Sequence, residues 1–130
     1  MATIKTFEDL EIWKNAHDLG KDIFNLCETN LKIQKDFSFK DQIKRATLSI
    51  SNNISEGFEY SNNRQFYRFL AIAKGSCGEV RNCLLFLISI NYSEEKEVEA
   101  LILKTRILSG QIGNFMKYLN KLNNESKLTK

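Results

Sequence analysis

Histidine occurs once in the chain, at His17, and the cysteines are Cys27, Cys77 and Cys83. Chemistry that needs several imidazoles is excluded by that count. A di-iron or di-manganese site in a helical bundle takes two Glu-x-x-His motifs and two further carboxylates, but the single histidine has Lys14 three places before it. No cysteine pair has the short ligand spacing of structural zinc. On a helix Cys77 and Cys83 stand about 9 Å apart along the axis and point to different sides, so they do not bridge. An odd, scattered set of thiols reads as reduced packing cysteines. Nucleophilic catalysis by Ser76 or Cys77 would have to recruit His17, and nothing in the pattern brings them together. Glu56 and Glu59 are a carboxylate pair only on paper, since they straddle Gly57 with no other mark of a substrate pocket. Gly75-Ser-Cys-Gly78 and Gly110-Gln-Ile-Gly113 match the Gly-x-x-Gly of a KH loop, yet both sit inside strong helical periods. There is no Walker loop and no dinucleotide fingerprint. The expectation is a protein that is not an enzyme, with no catalytic residue, no cofactor and no metal.

The charge map says more. Nineteen Lys and Arg against sixteen Asp and Glu give +3, too mild to announce a polyanion binder. Their distribution is uneven. Residues 6–30 carry Lys14 and Lys21 against six acids, a net of −4, while residues 61–93 carry Arg64, Arg68, Lys74 and Arg81 against Glu79, a net of +3. Lys40, Lys44 and Arg45 make a second basic cluster, and Arg106, Lys117 and Lys121 a third. In a symmetric ring each basic stripe repeats around one axis, so potentials and phosphate contacts accumulate. These ten side chains are the candidate phosphate contacts.

The elements that must position them are helices. The chain has 130 residues, enough for one domain (residues 1–130, core about 7–122), and no proline to interrupt a helix. Phe7, Leu10, Trp13, Ala16, Leu19, Ile23 and Leu26 recur at three- and four-residue steps, predicting a helix from about Phe7 to Leu31 with Thr6 as N-cap. Lys32 to Asp36 reads as a polar connection, and Ser38 with Asp41 as the capping pair of a second helix over about Phe39 to Glu56, stopped by Gly57. Beside its apolar face, Gln42, Arg45, Ser49, Asn53 and Glu56 fall within about 80° of one another at 100° per residue. Asn62 with Gln65 caps a third helix to Ile90, whose outer stripe of Arg64, Arg68, Ala71, Gly75, Gly78 and Asn82 is small and basic. Glycine inside a helix costs about 1 kcal/mol relative to alanine, so two there suggest close approach by another backbone. Leu84 to Ile90 is apolar on almost every side, more than one core needs, and points to a subunit interface. Glu94 and Glu95 open a fourth helix to about Leu122, and residues 123–130 are expected to fray. Four helices with short connections predict an all-α fold, an antiparallel up-down-up-down four-helix bundle. No apolar run is long enough to span a membrane, and Met-Ala-Thr-Ile-Lys lacks the apolar stretch of a signal peptide, so the chain reads as cytoplasmic.

Several stretches together resemble the 23S rRNA intervening-sequence proteins, also called the S23-type ribosomal proteins. Phe7, Asp9, Leu10, Trp13, Ala16 and Leu19 match the opening pattern of that family. The most specific block is Gln42-Ile-Lys-Arg-Ala46, then Ser49-Ile50, then Asn53-Ile-Ser-Glu-Gly57. Phe66, Phe69, Leu70, Ala73, Gly75-Ser76 and Glu79 continue it. Ser55 replaces the usual alanine, Val80 a common leucine, and the proline often found before the second helix is missing. The resemblance implies an antiparallel four-helix bundle assembling as a homopentamer. Members of that family are encoded within intervening sequences of 23S rRNA genes or elsewhere in bacterial genomes. A related branch accompanies the reverse transcriptase of diversity-generating retroelements and binds nucleic acid and that enzyme.

The leading expectation is a non-enzymatic, oligomeric RNA- or DNA-binding scaffold. In it Gln42, Ser49, Asn53 and Glu56 hold helices or subunits in register, with Gly57, Gly75, Ser76 and Glu79 as further structural positions. The alternative is a protein–protein adaptor that docks a partner such as a reverse transcriptase, through the apolar rim near Phe86 and Ile90.

Overall fold

The computed structural model describes residues 3–128, and every regular element among them is helical. A single 3₁₀ turn, Phe7–Asp9, precedes α1 (Glu11–Thr29), α2 (Leu31–Lys35), α3 (Phe37–Glu59), α4 (Asn63–Ser89) and α5 (Glu95–Leu128). α1 packs on α3 and α5, α3 on α4, and α4 on α5, so each long helix has two long neighbours around a shared core. Leu19, Ile23, Ile43, Ile50, Ile54, Leu70, Leu84 and Ile112 are fully buried there. Burying one such side chain stabilises the fold by roughly 1.5–3 kcal/mol relative to leaving it in water.

The helix expected from Phe7 to Leu31 breaks twice. The Asp9 carboxylate accepts the backbone N–H groups of Lys5 and Thr6, at 2.9 and 3.0 Å, and closes a turn on itself. Leu10 then runs extended and buried before α1 begins. At the far end Asn30 leaves the helical conformation, and its Oδ1 accepts from Ile33 N at 3.0 Å. Its Nδ2 donates to Tyr92 O at 2.9 Å and Ser93 Oγ at 3.0 Å. This one side chain starts α2 and ties it to the α4–α5 turn. Lys32 to Asp36, expected as a connection, is therefore mostly helical, with Ile33 buried.

α3 also begins earlier than the Ser38–Asp41 pair suggested. Asp36 is the cap, accepting from Phe39 N at 3.1 Å and from the Tyr92 hydroxyl at 2.8 Å. Those two donors hold the Asp36 carboxyl below its ordinary value, and the same carboxylate holds the Tyr92 phenol above its own. Gly57 is not a stop: α3 runs through it to Glu59, and Ser61, at φ 53°, turns the chain instead. Gly57 is buried where α3 meets α4, and a Cβ there would stand 2.6 Å from Phe69 Cβ. The glycine is needed for close helix packing. Asn62 caps α4 by accepting from Gln65 N at 3.0 Å, where the spacing placed it. α5 runs to Leu128, past the Leu122 expected as its end; Thr129 and Lys130 lie outside the described residues.

Candidate nucleic-acid interface

Two contacts fix the register of α4 on α5. Lys74 Nζ donates to Ser109 Oγ at 2.9 Å, and the Phe66 and Phe115 rings lie 5.4 Å apart. Arg64, Arg68, Lys74 and Arg81 lie on α4, and Arg106, Lys117 and Lys121 on α5. At 100° per residue Arg106, Lys117 and Lys121 fall about 60°, 80° and 120° around α5 from Ser109, in the same direction as Gly113, which Lys74 crosses, so both sets border the α4/α5 seam. All are exposed except the half-buried Arg81. None of the seven joins an ion pair among the described residues; the lysines and arginine that do are Lys44, Arg45, Lys96 and Lys104. No acid occurs between residues 100 and 124, so α5 offers nothing there to offset the charge.

Within this chain no backbone makes the close approach expected at the glycines on this side. A Cβ at Gly75, Gly78 or Gly110 would meet open space, so no backbone of this chain approaches them. The reason is that they face outward, away from the α4–α5 contact. At Gly113 the Lys74 Cε would lie 3.3 Å from a Cβ, so the lysine stem crosses the bare glycine and delivers its amine to Ser109.

The α3 cluster stands apart. Lys44 Nζ is 3.4 Å from Glu28 and 4.9 Å from the centre of the Phe24 ring, against α1, and its side chain is only 25% exposed. Lys40 sits 4.9 Å over Phe37 and donates to Gln34 O at 3.4 Å. Arg45 pairs with Asp41 of its own helix at 2.7 Å, an exposed contact worth about 0–1 kcal/mol.

The polar stripe on α3 faces α4. Gln42 Nε2 donates to the Glu79 carboxylate, and Ser76 Oγ donates to Ser49 Oγ at 2.8 Å. Asn53 Nδ2 stays within α3, donating to Ser49 O at 2.7 Å and Ser49 Oγ at 3.0 Å, and so orients that hydroxyl. Glu56 is exposed and joins no hydrogen bond among the described residues. Sequence reasoning missed the matching α1–α5 seam, where Asn15 Nδ2 donates to Gln111 Oε1 at 2.8 Å and Lys104 pairs with Asp22. The signal was present in Asn15, a polar residue beside buried Ala16.

The family model of the 23S rRNA-intervening sequence protein matches residues 8–114. The chain belongs to that family. The fold agrees with a crystal structure, at 1.70 Å, of a protein with unknown function from the S23 ribosomal protein family of Bacteroides thetaiotaomicron VPI-5482. The two share 24% identity with a TM-score of 0.76, over 82% of this chain and 98% of that one, a likeness that speaks to the fold alone. No curated protein matches the chain.

In this member of the 23S rRNA-intervening sequence family, Lys117 and Lys121 lie beyond the matched stretch. So does Tyr118, exposed at 55%, whose ring meets Phe115 edge-on at 5.9 Å. The groups considered for catalysis are scattered or inert. Exposed His17 stacks on Trp13 at 4.8 Å, while Cys27, Cys77 and Cys83 are all buried. Burial raises all three thiol pKa values, that of Cys77 to about 12, which keeps them protonated at neutral pH. Among the described residues, no group of His, Cys, Asp and Glu could hold a metal ion, and no helix is long and apolar enough to cross a membrane.

Proposed function

We propose that this protein is a non-enzymatic, cytoplasmic, homo-oligomeric nucleic-acid-binding scaffold, its α4/α5 side supplying the phosphate contacts. One observation carries the reading: seven of the basic side chains on those two helices, all but Arg81 exposed, have no carboxylate partner among the described residues. Unpaired cations on one side release counterions when they meet phosphates, whereas paired ones must first give up a partner. Lys44 and Arg45 play the lesser part for that reason, and Lys40 does so because its amine already lies over the Phe37 ring and donates to Gln34 O.

The bundle underneath is antiparallel, up-down-up-down. Its seams support this, since partners descend on one helix as they ascend on the other. Asn15 with Gln111 is followed by Asp22 with Lys104, and Gln42 with Glu79 by Ser49 with Ser76. The assembly is a homopentamer, as the family resemblance implies. Open space beside Gly75, Gly78 and Gly110 and the exposed Leu103 and Ile107 leave room for a second copy. A symmetric ring then repeats the basic side around one axis.

The adaptor reading has one observation in its favour: Leu85 and Phe86, 44% and 52% exposed near the end of α4, offer an apolar contact for a protein such as a reverse transcriptase. Anisotropy with labelled RNA, comparing Arg68→Glu/Lys117→Glu against Arg45→Glu, separates the cases. The proposal expects the double variant to lose most of its affinity and Arg45→Glu little. Equal affinity in the wild type and both variants would remove the α4/α5 side from the account, and a protein partner captured after nuclease treatment would favour the adaptor.

A further inference from the structure

We infer that the end of the bundle where α3 turns into α4 binds unpaired nucleobases by stacking, which makes single-stranded nucleic acid the preferred ligand. This rests on the nucleic-acid reading above and adds the class of ligand. A cleft of about 470 Å³ opens there between Ile4, Lys5 and Leu10, on either side of the 3₁₀ turn, the α3–α4 turn and α5. That volume falls in the roughly 300–1,000 Å³ range of small-ligand sites. Its wall is a run of aromatic rings, Phe58 edge-on to Phe66 at 6.0 Å, Phe66 against Phe115 at 5.4 Å and Phe115 against Tyr118 at 5.9 Å.

Two of the rings at this end are open to solvent. Tyr118 lines the cleft and is 55% exposed. Tyr60, in the turn beside it, is equally exposed and stacks one face on Phe69 at 5.2 Å, which leaves its other face to a ligand. Polar and positive groups surround them. Asn63 and Lys5 line the cleft, Lys121 stands one turn past Tyr118 on α5, and Arg64 follows Asn63 in the first turn of α4.

Aromatic platforms beside cations are what a single strand requires, because stacking reads the π-face of any base while the cations follow the phosphates. A duplex keeps its base faces against one another and offers this cleft nothing but backbone. The charge therefore serves both forms of nucleic acid, and the aromatic end serves only the unpaired one.

The test is fluorescence anisotropy with labelled oligo(U), oligo(dT) and a duplex RNA of equal length, on the full chain and on Tyr118→Ala, Tyr118→Phe and Tyr60→Ala. Tyr118→Ala is expected to weaken single-strand binding about 5- to 150-fold, the range of one lost stack. Duplex affinity stays within about twofold, and Tyr118→Phe retains the wild-type preference. Loss on the RNA strand, the DNA strand or both supports the inference and identifies the sugar it accepts. Tyr60→Ala gives an independent second reading, and far-UV melts confirm that each variant folds. Wild-type binding left unchanged by both alanine variants, or lost equally on strand and duplex, would overturn the stacking site and leave the phosphate-binding reading standing. No binding of any probe by the wild type, even at low salt, would overturn both.

Discussion

Replacing Gly57 by alanine adds one methyl group, and the structure gives the substitution an unusual sign. The new carbon would stand 2.6 Å from Phe69 Cβ and 3.0 Å from Phe66 Cδ1. Carbon atoms prefer about 3.5–4.0 Å, so a gap near 1 Å must open. Phe69 Cβ is fixed to the α4 backbone and cannot rotate away, and the Phe66 ring is hemmed in by Phe58 and Phe115. The helices themselves must separate. Overpacking costs about 1–3 kcal/mol, and about 2–3 kcal/mol where backbone must move, as here, while alanine in place of a helical glycine returns at most about 1 kcal/mol, Gly57 lying in the last turn of α3. The net expectation is a loss of roughly 1–2 kcal/mol, which for a domain of this length lowers Tm by roughly 3–10 °C. Gly20→Ala is the control, because its Cβ would meet only Thr47 Cγ2 at an ordinary 3.7 Å. It should be stabilising by up to about 1 kcal/mol. Urea unfolding followed by far-UV circular dichroism reads both. A Gly57→Ala variant as stable as the wild type would refute the argument that this glycine is there for helix packing.

Ser49→Ala leaves the Ser76 hydroxyl without its acceptor and should cost about 1–3 kcal/mol, whereas the Ser49→Ala/Ser76→Ala double variant should recover part of that loss in the same unfolding assay. Asn30→Ala removes a cap and two long-range bonds together and should cost about 2 kcal/mol or more, with hydrogen exchange rising first in α2 and the α4–α5 turn. The Asp36–Tyr92 contact makes stability depend on pH at both ends. The folded Asp36 value lies below 3.8, so its contribution is present above 3.8 and is lost as pH falls through the folded value. The folded Tyr92 value lies above 10.0, so its contribution is present below 10.0 and is lost as pH rises through the folded value. Asp36→Asn should flatten both arms of a plot of urea midpoint against pH; arms as steep as the wild type's would show that other groups carry them. A thiol reagent at neutral pH should label Cys27, Cys77 and Cys83 only after unfolding, with mass spectrometry as the readout.

The sequence made α4 readable from end to end, because the Asn62–Gln65 cap and the apolar period are both local. Asn30 was not readable as a hub, since Tyr92 and Ser93 lie 62 and 63 positions further on. Gly57 followed a polar residue and looked like a stop; only the approach of Phe69, from the next helix, reveals its role. The basic residues were all visible, but residue counts do not separate Lys44, held by Glu28 and Phe24, from Arg68, which has no ion-pair partner among the described residues. Tyr60 and Tyr118 went unnoticed for a related reason. The exposure of an aromatic ring is settled only once neighbouring helices are in place.

The most direct test of the central claim is the affinity of the wild-type protein for single-stranded RNA across a range of salt concentrations. If the unpaired cations of α4 and α5 meet phosphates, log Kobs should fall linearly with log salt at about −0.7 per contact, with a total slope steeper than about −2. A flat slope, or no binding even at low salt, would contradict the account.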